Sequence, residues 1–338
     1  LSKSLGQKDQ EAANRTAGNG IILMLIITAV FMLFGIFGVR PYYEMQSTVT
    51  ETVESGIAYS SICCILTLGV FISILCERLL QATGRTMYTM ITQSTGAIVN
   101  IILDPILIHG WFGLPAMGVA GAAIATVASQ AVSAVRILLF LTGKKTMLKL
   151  QVSNMKLIPT VILPCLGLGI SSFVMVSTES VLSISFTSSL ARYGGDVAGG
   201  AMTVLTSINQ LITMPLSGIC QGGQPLISFN YGARKLQRVK EAFFCQFGIC
   251  VAYTTGFWLL LMIMPDFFAG IFTNDAALVE YTAWARRVFL ACGFSVGFQI
   301  SCQQAFMALG QAKISLVMAL LRKVFLLIPM IFILPNFF

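Results

Sequence analysis

The sequence predicts an all-α polytopic membrane protein built from two repeated halves, and three observations carry that class. Of 338 residues, 56% are hydrophobic and only 10% are charged, with a mean hydropathy of +0.85. A soluble domain carries roughly 25% charged residues. Apolar runs close to the ~20 residues that a helix needs to cross a bilayer recur along the chain. Finally, Ser2 and Ser228, Gly6 and Gly232, Cys76 and Cys302, and Gly84 and Gly310 are all 226 residues apart. Several motif pairs at one spacing indicate a duplicated half.

Nine membrane segments are predicted, at about 20–39, 56–76, 87–108, 116–142, 157–189, 197–222, 242–264, 282–305 and 312–334. The third and fourth are separated by the turn-rich stretch from His109 to Pro115, which holds an interfacial Trp111. The sixth is expected to close at a turn in Gly222-Gly223-Gln224-Pro225, ahead of Asn230-Tyr231-Gly232-Ala233 and the basic run Arg234 to Lys240.

Loop charges set the orientation. Fourteen basic residues, from Lys3 and Lys8 through Lys144, Lys145, Lys149 and Lys156 to Lys313, lie in loops on one side. The opposite loops hold Arg40, Arg192, Arg286 and Arg287 beside acids such as Glu44, Asp196, Asp266, Asp275 and Glu280. The first side is therefore cytoplasmic. Matching positions of the two halves then share a side, so the repeat is parallel, about an axis along the membrane normal. Residues 1–142 are expected to form an amino-terminal lobe, 143–156 a cytoplasmic linker and 157–338 a carboxy-terminal lobe. Six helices per lobe would require two before residue 1 and one after residue 338, so the chain reads as a fragment.

Composition also removes several functions. The net charge of +8 sits in short loops, which reads as topology and not as a nucleic-acid surface. The nine cysteines lack metal-ligand spacing and read as small apolar helix residues, while one histidine, His109, cannot build a histidine metal site. No Walker motif is present, so ATP does not drive the chain directly, and no cofactor is expected.

Ionisable groups inside a bilayer are costly and mark function by default. Asp104 lies near the outer end of the third segment, and Asn100 is one helical turn earlier, so both oxygens leave one face. That pair suits Na⁺ or a proton, with Thr126 on the next helix offering a hydroxyl; a plain helix end before Pro105 fits the same residues. Glu179 is deeper, among serines and threonines, and is a candidate proton or substrate site with Asn209 and Gln210; a structural hydrogen bond is the alternative. Arg322-Lys323 interrupts the last segment, and either could pair with Glu179 or snorkel. Gln299, Gln303 and Gln304 could line a polar cavity or bind helices together. The 24 Phe and 16 Met suit greasy cations, though most must face lipid or other helices.

In Asn100-Ile101-Ile102-Leu103-Asp104-Pro105, in Gly118 to Thr126, and in Gly223-Gln224-Pro225 with Asn230 to Ala233, the chain resembles the MATE (multidrug and toxic compound extrusion) transporters of the MOP flippase superfamily. The similarity is greatest to the bacterial DinF-like branch, and it extends over essentially the whole chain. It implies the MATE fold of two six-helix lobes, and export of organic cations or drugs in exchange for Na⁺ or H⁺. It also implies an amino-lobe cation site whose matching positions are Asn100, Asp104 and Thr126; the family's first-helix Asp falls before residue 1. Some members use acids on the seventh and tenth helices. Glu179 lies on the seventh, and 282–305 has no acid within its apolar part.

The expected function is a secondary active antiporter working by alternating access, a monomer in the bacterial plasma membrane, with the lipid bilayer and small organic cations as its partners. A lipid-linked oligosaccharide flippase of the same superfamily is the alternative and would need a strongly basic cavity. A polytopic membrane enzyme would need clustered acid, base or nucleophile, and the sequence offers none.

Overall fold

The computed structural model describes the chain except residues 47–48, 114, 142, 144–157, 194, 265–284, 286, 288, 334–336 and 338, and the backbone alone at 191–193 and 195–198. It divides into two compact units, Leu1–Ile162 and Leu163–Phe338. Unit 1 holds α1 (Ser2–Gly6), α2 (Gln10–Phe37), α3 (Val39–Gln46), α4 (Thr50–Ile65), α5 (Leu68–Ala82), α6 (Thr86–His109) and α7 (Gly118–Leu141). Helix α8 (Pro159–Tyr193) begins at the division. Unit 2 continues with α9 (Gly195–Gly232), α10 (Leu236–Ile263), α11 (Val296–Ala308), α12 (Ala312–Leu320), a π-helical segment (Leu321–Leu327) and α13 (Ile328–Ile333).

The predicted segments coincide with helices, save that 282–305 is a described α-helix only from Val296, with 282–284, 286 and 288 outside the described residues; three further differences follow. The span expected at 56–76 is broken: α4 and α5 meet at a 52° bend around Leu66 and Thr67, which lays Gly69 against Ala131 of α7. The turn expected at Gly222 to Pro225 does not occur. Helix α9 runs through Pro215 and Pro225 to Gly232, and the chain reverses at Arg234, whose φ is 56°. Apolar surroundings favour a continuous helix, and neighbours tolerate the missing proline donors; Gly223 lets Gln246 of α10 approach closely. Third, among the described residues six helices are long and apolar enough to span a bilayer, or seven if the bent pair is one span. Polar, proline-interrupted α9 and the 13 residues of α11 fall outside that count. The predicted linker 143–156 lies outside the described residues beyond Gly143, as do Lys144, Lys145, Lys149, Lys156, Asp266, Asp275, Glu280 and Arg286. Unit 1 extends past the predicted boundary because the Ile158 amide donates to Asn19 Oδ1 of α2 at 3.0 Å.

The 226-residue repeat is structural. Ser2 Oγ donates to Ala82 O, and Ser228 Oγ donates to Ala308 O, at 3.4 and 2.6 Å. Lys8 and Arg234 both take positive φ, 60° and 56°, as do Gly84 and Gly310, 79° and 77°. Thr28 donates to Met24 O and Thr254 to Cys250 O, at 2.8 and 2.9 Å. Each pair occupies the same place in its own unit. The positive-φ turns close hairpins at one end, where a non-glycine at Lys8 or Arg234 accepts backbone strain.

Helix faces meet through small residues and satisfied hydroxyls. In unit 1, Ala13, Ala17 and Leu79 form one cluster, and Cys76, Leu80, Ile137 and Leu141 another. In unit 2, Val204, Ile208, Ile212, Leu261 and Leu290 are buried together. Outward positions are apolar instead: Ile101, Leu139, Phe173 and Ile184 are each 69–71% exposed, as lipid-facing residues should be. Within helices, Thr28, Thr92, Thr95, Thr178, Ser185 and Thr206 each donate to the carbonyl four residues earlier, at 2.7–2.9 Å.

The α6–α7 pair sets the tightest tolerance. A Cβ on Gly121 would lie 2.5 Å from the Leu107 carbonyl oxygen, a backbone atom that cannot move aside cheaply. Gly167 on α8 has nothing within 4 Å of the same position. Gly121→Ala should therefore destabilise by about 1–3 kcal/mol, read as a lower melting temperature in detergent, and Gly167→Ala should not.

Candidate functional site

The unit 1 site begins with the continuity of α6. Pro105 lies inside the helix, which continues to His109 and ends where Gly110 takes φ 74°. Asp104 is thus not a helix terminus. Asn100 Nδ2 donates to Asp104 Oδ1 at 3.3 Å, and both side chains are half-buried. No salt bridge reaches Asp104 among the described residues. Thr126 Oγ1 donates to its own helix at Ala122 O, 2.9 Å away. Asn100 and Asp104 are therefore joined, while the Thr126 proton is already used and no described side-chain contact joins Thr126 to either residue.

Packing of α7 on α6 holds this helix in place. Ser133 Oγ donates to Thr92 O at 3.3 Å, and Gly96 leaves room for the Ser133 hydroxyl. Tyr88 stacks on Phe140 at 3.9 Å, with the Arg85 guanidinium 5.6 Å from the same ring. Arg136, a charged residue within α7 that the sequence reading passed over, donates to Thr95 Oγ1. Its position in an otherwise apolar run was the available signal.

In unit 2 the predicted pairing of Glu179 is present. Lys323 Nζ meets Glu179 Oε1 at 2.5 Å and lies 3.5 Å from Met175 O. The lysine side chain is 6% exposed and the glutamate 60%. Lys323 and Arg322 fall in the π-helical segment, whose extra residue per turn re-aims side chains and often marks a functional site. Arg322 Nη1 donates to Gln299 Oε1 at 2.8 Å, Gln299 Nε2 to Gln303 Oε1 at 2.5 Å, and Gln303 Nε2 approaches Met175 Sδ at 3.3 Å. One polar network thus links α8, α11 and the π segment. Asn209, half-buried, and Gln210, exposed, lie on α9, and no described side-chain contact joins them to Glu179.

A cavity of about 340 Å³ adjoins this network, lined by Gln299, Gln303, Phe306, Met318, Arg322 and Leu326. Its register explains it. Phe306 is 226 residues from Leu80, Met318 from Thr92 and Arg322 from Gly96, and in unit 1 these positions are covered by Ile137 and Ser133 of α7. The cavity has the form of a helix seat. Sequence reasoning also missed Glu77 on α5, which is 8% exposed and accepts from Gln93 Nε2 at 2.9 Å and Ser73 Oγ at 3.4 Å. The repeat held the signal, since Glu77 aligns with Gln303.

Comparison with known proteins places these sites in a family. The MatE family model matches residues 1–106 and 171–333. The chain is 25% identical to the multidrug export protein MepA of Staphylococcus saprophyticus, over 100% of this chain and 73% of that protein. It is 23% identical to the probable multidrug resistance protein NorM of Bacillus cereus, over 100% of this chain and 74% of that protein. Among solved structures, the MATE multidrug transporter DinF-BH in complex with R6G superposes with a TM-score of 0.89 at 28% identity, covering 100% of this chain and 75% of that one. This likeness supports the DinF-like branch. A MOP superfamily transporter from Pyrococcus furiosus shares the fold at a TM-score of 0.92 and 20% identity, covering 99% of this chain and 74% of that one. With more than half of its length matched by the family model, the chain is a multi-pass membrane protein that belongs to the MatE (multidrug and toxic compound extrusion) family.

Proposed function

We propose that the protein is a multidrug efflux transporter of the bacterial plasma membrane, exporting organic cations in exchange for Na⁺ or H⁺ by alternating access. Its relatives named for multidrug export support the substrate class. The observation that carries the coupling is the contrast between two intramembrane carboxylates. Glu179 has a protein cation beside it in Lys323, whereas Asp104 has only the neutral Asn100 amide among its described contacts. An ionised carboxylate in a low-dielectric region requires a counter-charge or a proton. Glu179 is supplied from within the chain. Asp104 is not, and draws its partner from solution.

Asn100 and Asp104 supply adjacent oxygens, with the free lone pairs of Thr126 as a third donor. Filling the site neutralises the carboxylate and favours one arrangement of the α6 region. Substrate favours the other arrangement, and transport follows because the two ligands prefer different states. Glu179 then serves a cationic substrate by exchanging its lysine partner for the substrate's charge. Residues 1–142 and 157–338 act as the two lobes, joined through the cytoplasmic stretch 143–156, with a monomer as the working unit and no organic cofactor. The flippase alternative would need a strongly basic cavity. The unit 2 cavity has Arg322 as the one basic residue of its lining among the described residues, and Lys323 is paired with Glu179, which favours drug efflux.

Two expected outcomes test this reading. In everted vesicles with imposed Na⁺ or H⁺ gradients, Asp104→Asn should abolish movement of a fluorescent organic cation while the protein still inserts. Wild-type movement in that variant would refute the coupling role. Separately, Glu179→Gln leaves the buried Lys323 without its counter-charge, a more destabilising state than losing both. Glu179→Gln should therefore melt at a lower temperature than the double variant Glu179→Gln/Lys323→Met; the reverse order would remove the ion pair from the account.

A further inference from the structure

Glu77 is an acid that the proposed cycle does not use. It lies on α5 five residues before Ala82, so about 7.5 Å from the cytoplasmic end of the helix at 1.5 Å per residue. Its carboxylate is buried between α5 and α6, and both described hydrogen bonds come from neutral donors, Ser73 Oγ and Gln93 Nε2. No salt bridge reaches it among the described residues. Arg78, next in sequence, acts on it through space and donates to Gln81 at 2.9 Å. Titratable Cys76 is its other neighbour on the same helix. The elements packed against α5 bring the apolar Ala13 and Ala17 of α2 and Ile137 and Leu141 of α7, the neutral polar Asn19 of α2 and Thr89 and Thr92 of α6, and two further cations: Arg15 of α2, paired with Glu11, and Arg85 at the start of α6, over Phe140.

The second unit supplies the control. Gln303 is the counterpart of Glu77 and Gln299 that of Ser73, and the Gln299–Gln303 hydrogen bond repeats the Ser73–Glu77 one. The architecture therefore needs a hydrogen-bonding group of this length here, and a neutral amide meets that need. Unit 1 carries an ionisable group instead. It also adds a donor, Gln93, where the counterpart Ala319 has none. What distinguishes Glu77 from Gln303 is the capacity to hold or lose a proton.

We propose that Glu77 is a proton-binding site near the cytoplasmic end of unit 1, separate from Asp104, taking up a proton while packed between Ser73 and Gln93 and releasing it when water reaches the α5–α6 seam. An ionised carboxylate without a counter-cation is disfavoured in such surroundings, so packing favours the neutral acid and hydration the ion. Proton binding itself follows from the local geometry. Its consequence, that exchange is with H⁺ and that Glu77 hands the proton to the cytoplasm, rests on the efflux reading.

The test is infrared spectroscopy of the purified full chain in lipid nanodiscs, titrated by pH at constant Na⁺. A protonated-carboxyl C=O band should grow as pH falls, disappear in Glu77→Gln and persist in Asp104→Asn. Glu77→Gln copies the unit 2 residue and is expected to fold. Should it not, Gln93→Leu keeps the acid but removes a donor, and the band should move to higher wavenumber. Identical pH-difference spectra in the wild type and Glu77→Gln, or in the wild type and Gln93→Leu, would overturn the proposal. In vesicles, Glu77→Gln should also lose proton-driven export. Lack of gradient-driven movement in the wild type would defeat the efflux reading alone, leaving the spectroscopic result to stand or fall separately.

Discussion

A charge held in hydrocarbon must be neutralised by an opposite charge, by a proton or by water, and the ionisable groups within these helices differ in which they use. Lys323 and Glu179 neutralise one another. Asp104 accepts from the Asn100 amide and has no protein cation beside it among the described residues. Glu77 is enclosed by neutral donors. Arg136 spreads its charge onto a threonine hydroxyl. Apolar faces and small-residue contacts enclose Lys323 and Glu77, which are buried. The electrostatics of a few atoms therefore depend on packing over whole helices.

Duplication gives that packing an internal reference. Hairpin ends and hydroxyl bonds agree between the units at one spacing, so differences at matching positions stand out. Gly96 in unit 1 allows α7 to approach, whereas its counterpart Arg322 carries a charge into the unit 2 network. Asn100 and Asp104 match Leu326 and Met330. Each unit thus has its own intramembrane chemistry on one scaffold, with the proposed external-ion site in the first and a self-neutralised pair in the second.

Much of this was legible in the sequence because it depends on local composition. Long apolar runs placed the helices, the fixed spacing exposed the repeat, and how few charges the segments contain brought Arg322 and Lys323 forward as candidate partners of Glu179, of which the structure pairs Lys323. Features set by neighbouring helices were not legible. Pro225 and its glycines read as a turn because in water they would form one; beside α10 the helix continues. The bend at Leu66–Thr67 carries no proline and is visible only through the seating of Gly69 on Ala131. Glu77 was passed over because it falls just beyond the predicted span 56–76, although it lies within α5 and is buried. The π turn at Arg322 and Lys323 leaves no signature in periodicity beyond the charges themselves.

The hydroxyls that return to their own helix have a mechanical consequence. Thr28, Thr92, Thr178 and Ser185 occupy buried positions, yet each satisfies its donor within a single turn. A surface of that kind is polar in composition but indifferent to the register of its neighbour, because sliding by a fraction of a turn breaks few bonds between helices. Directional links between helices are made by other side chains, among them Ser133 to Thr92, Arg322 to Gln299 and Lys323 to Glu179. Resistance to sliding then falls on those inter-helix links and on close small-residue contacts, and the self-bonded hydroxyls add little to it.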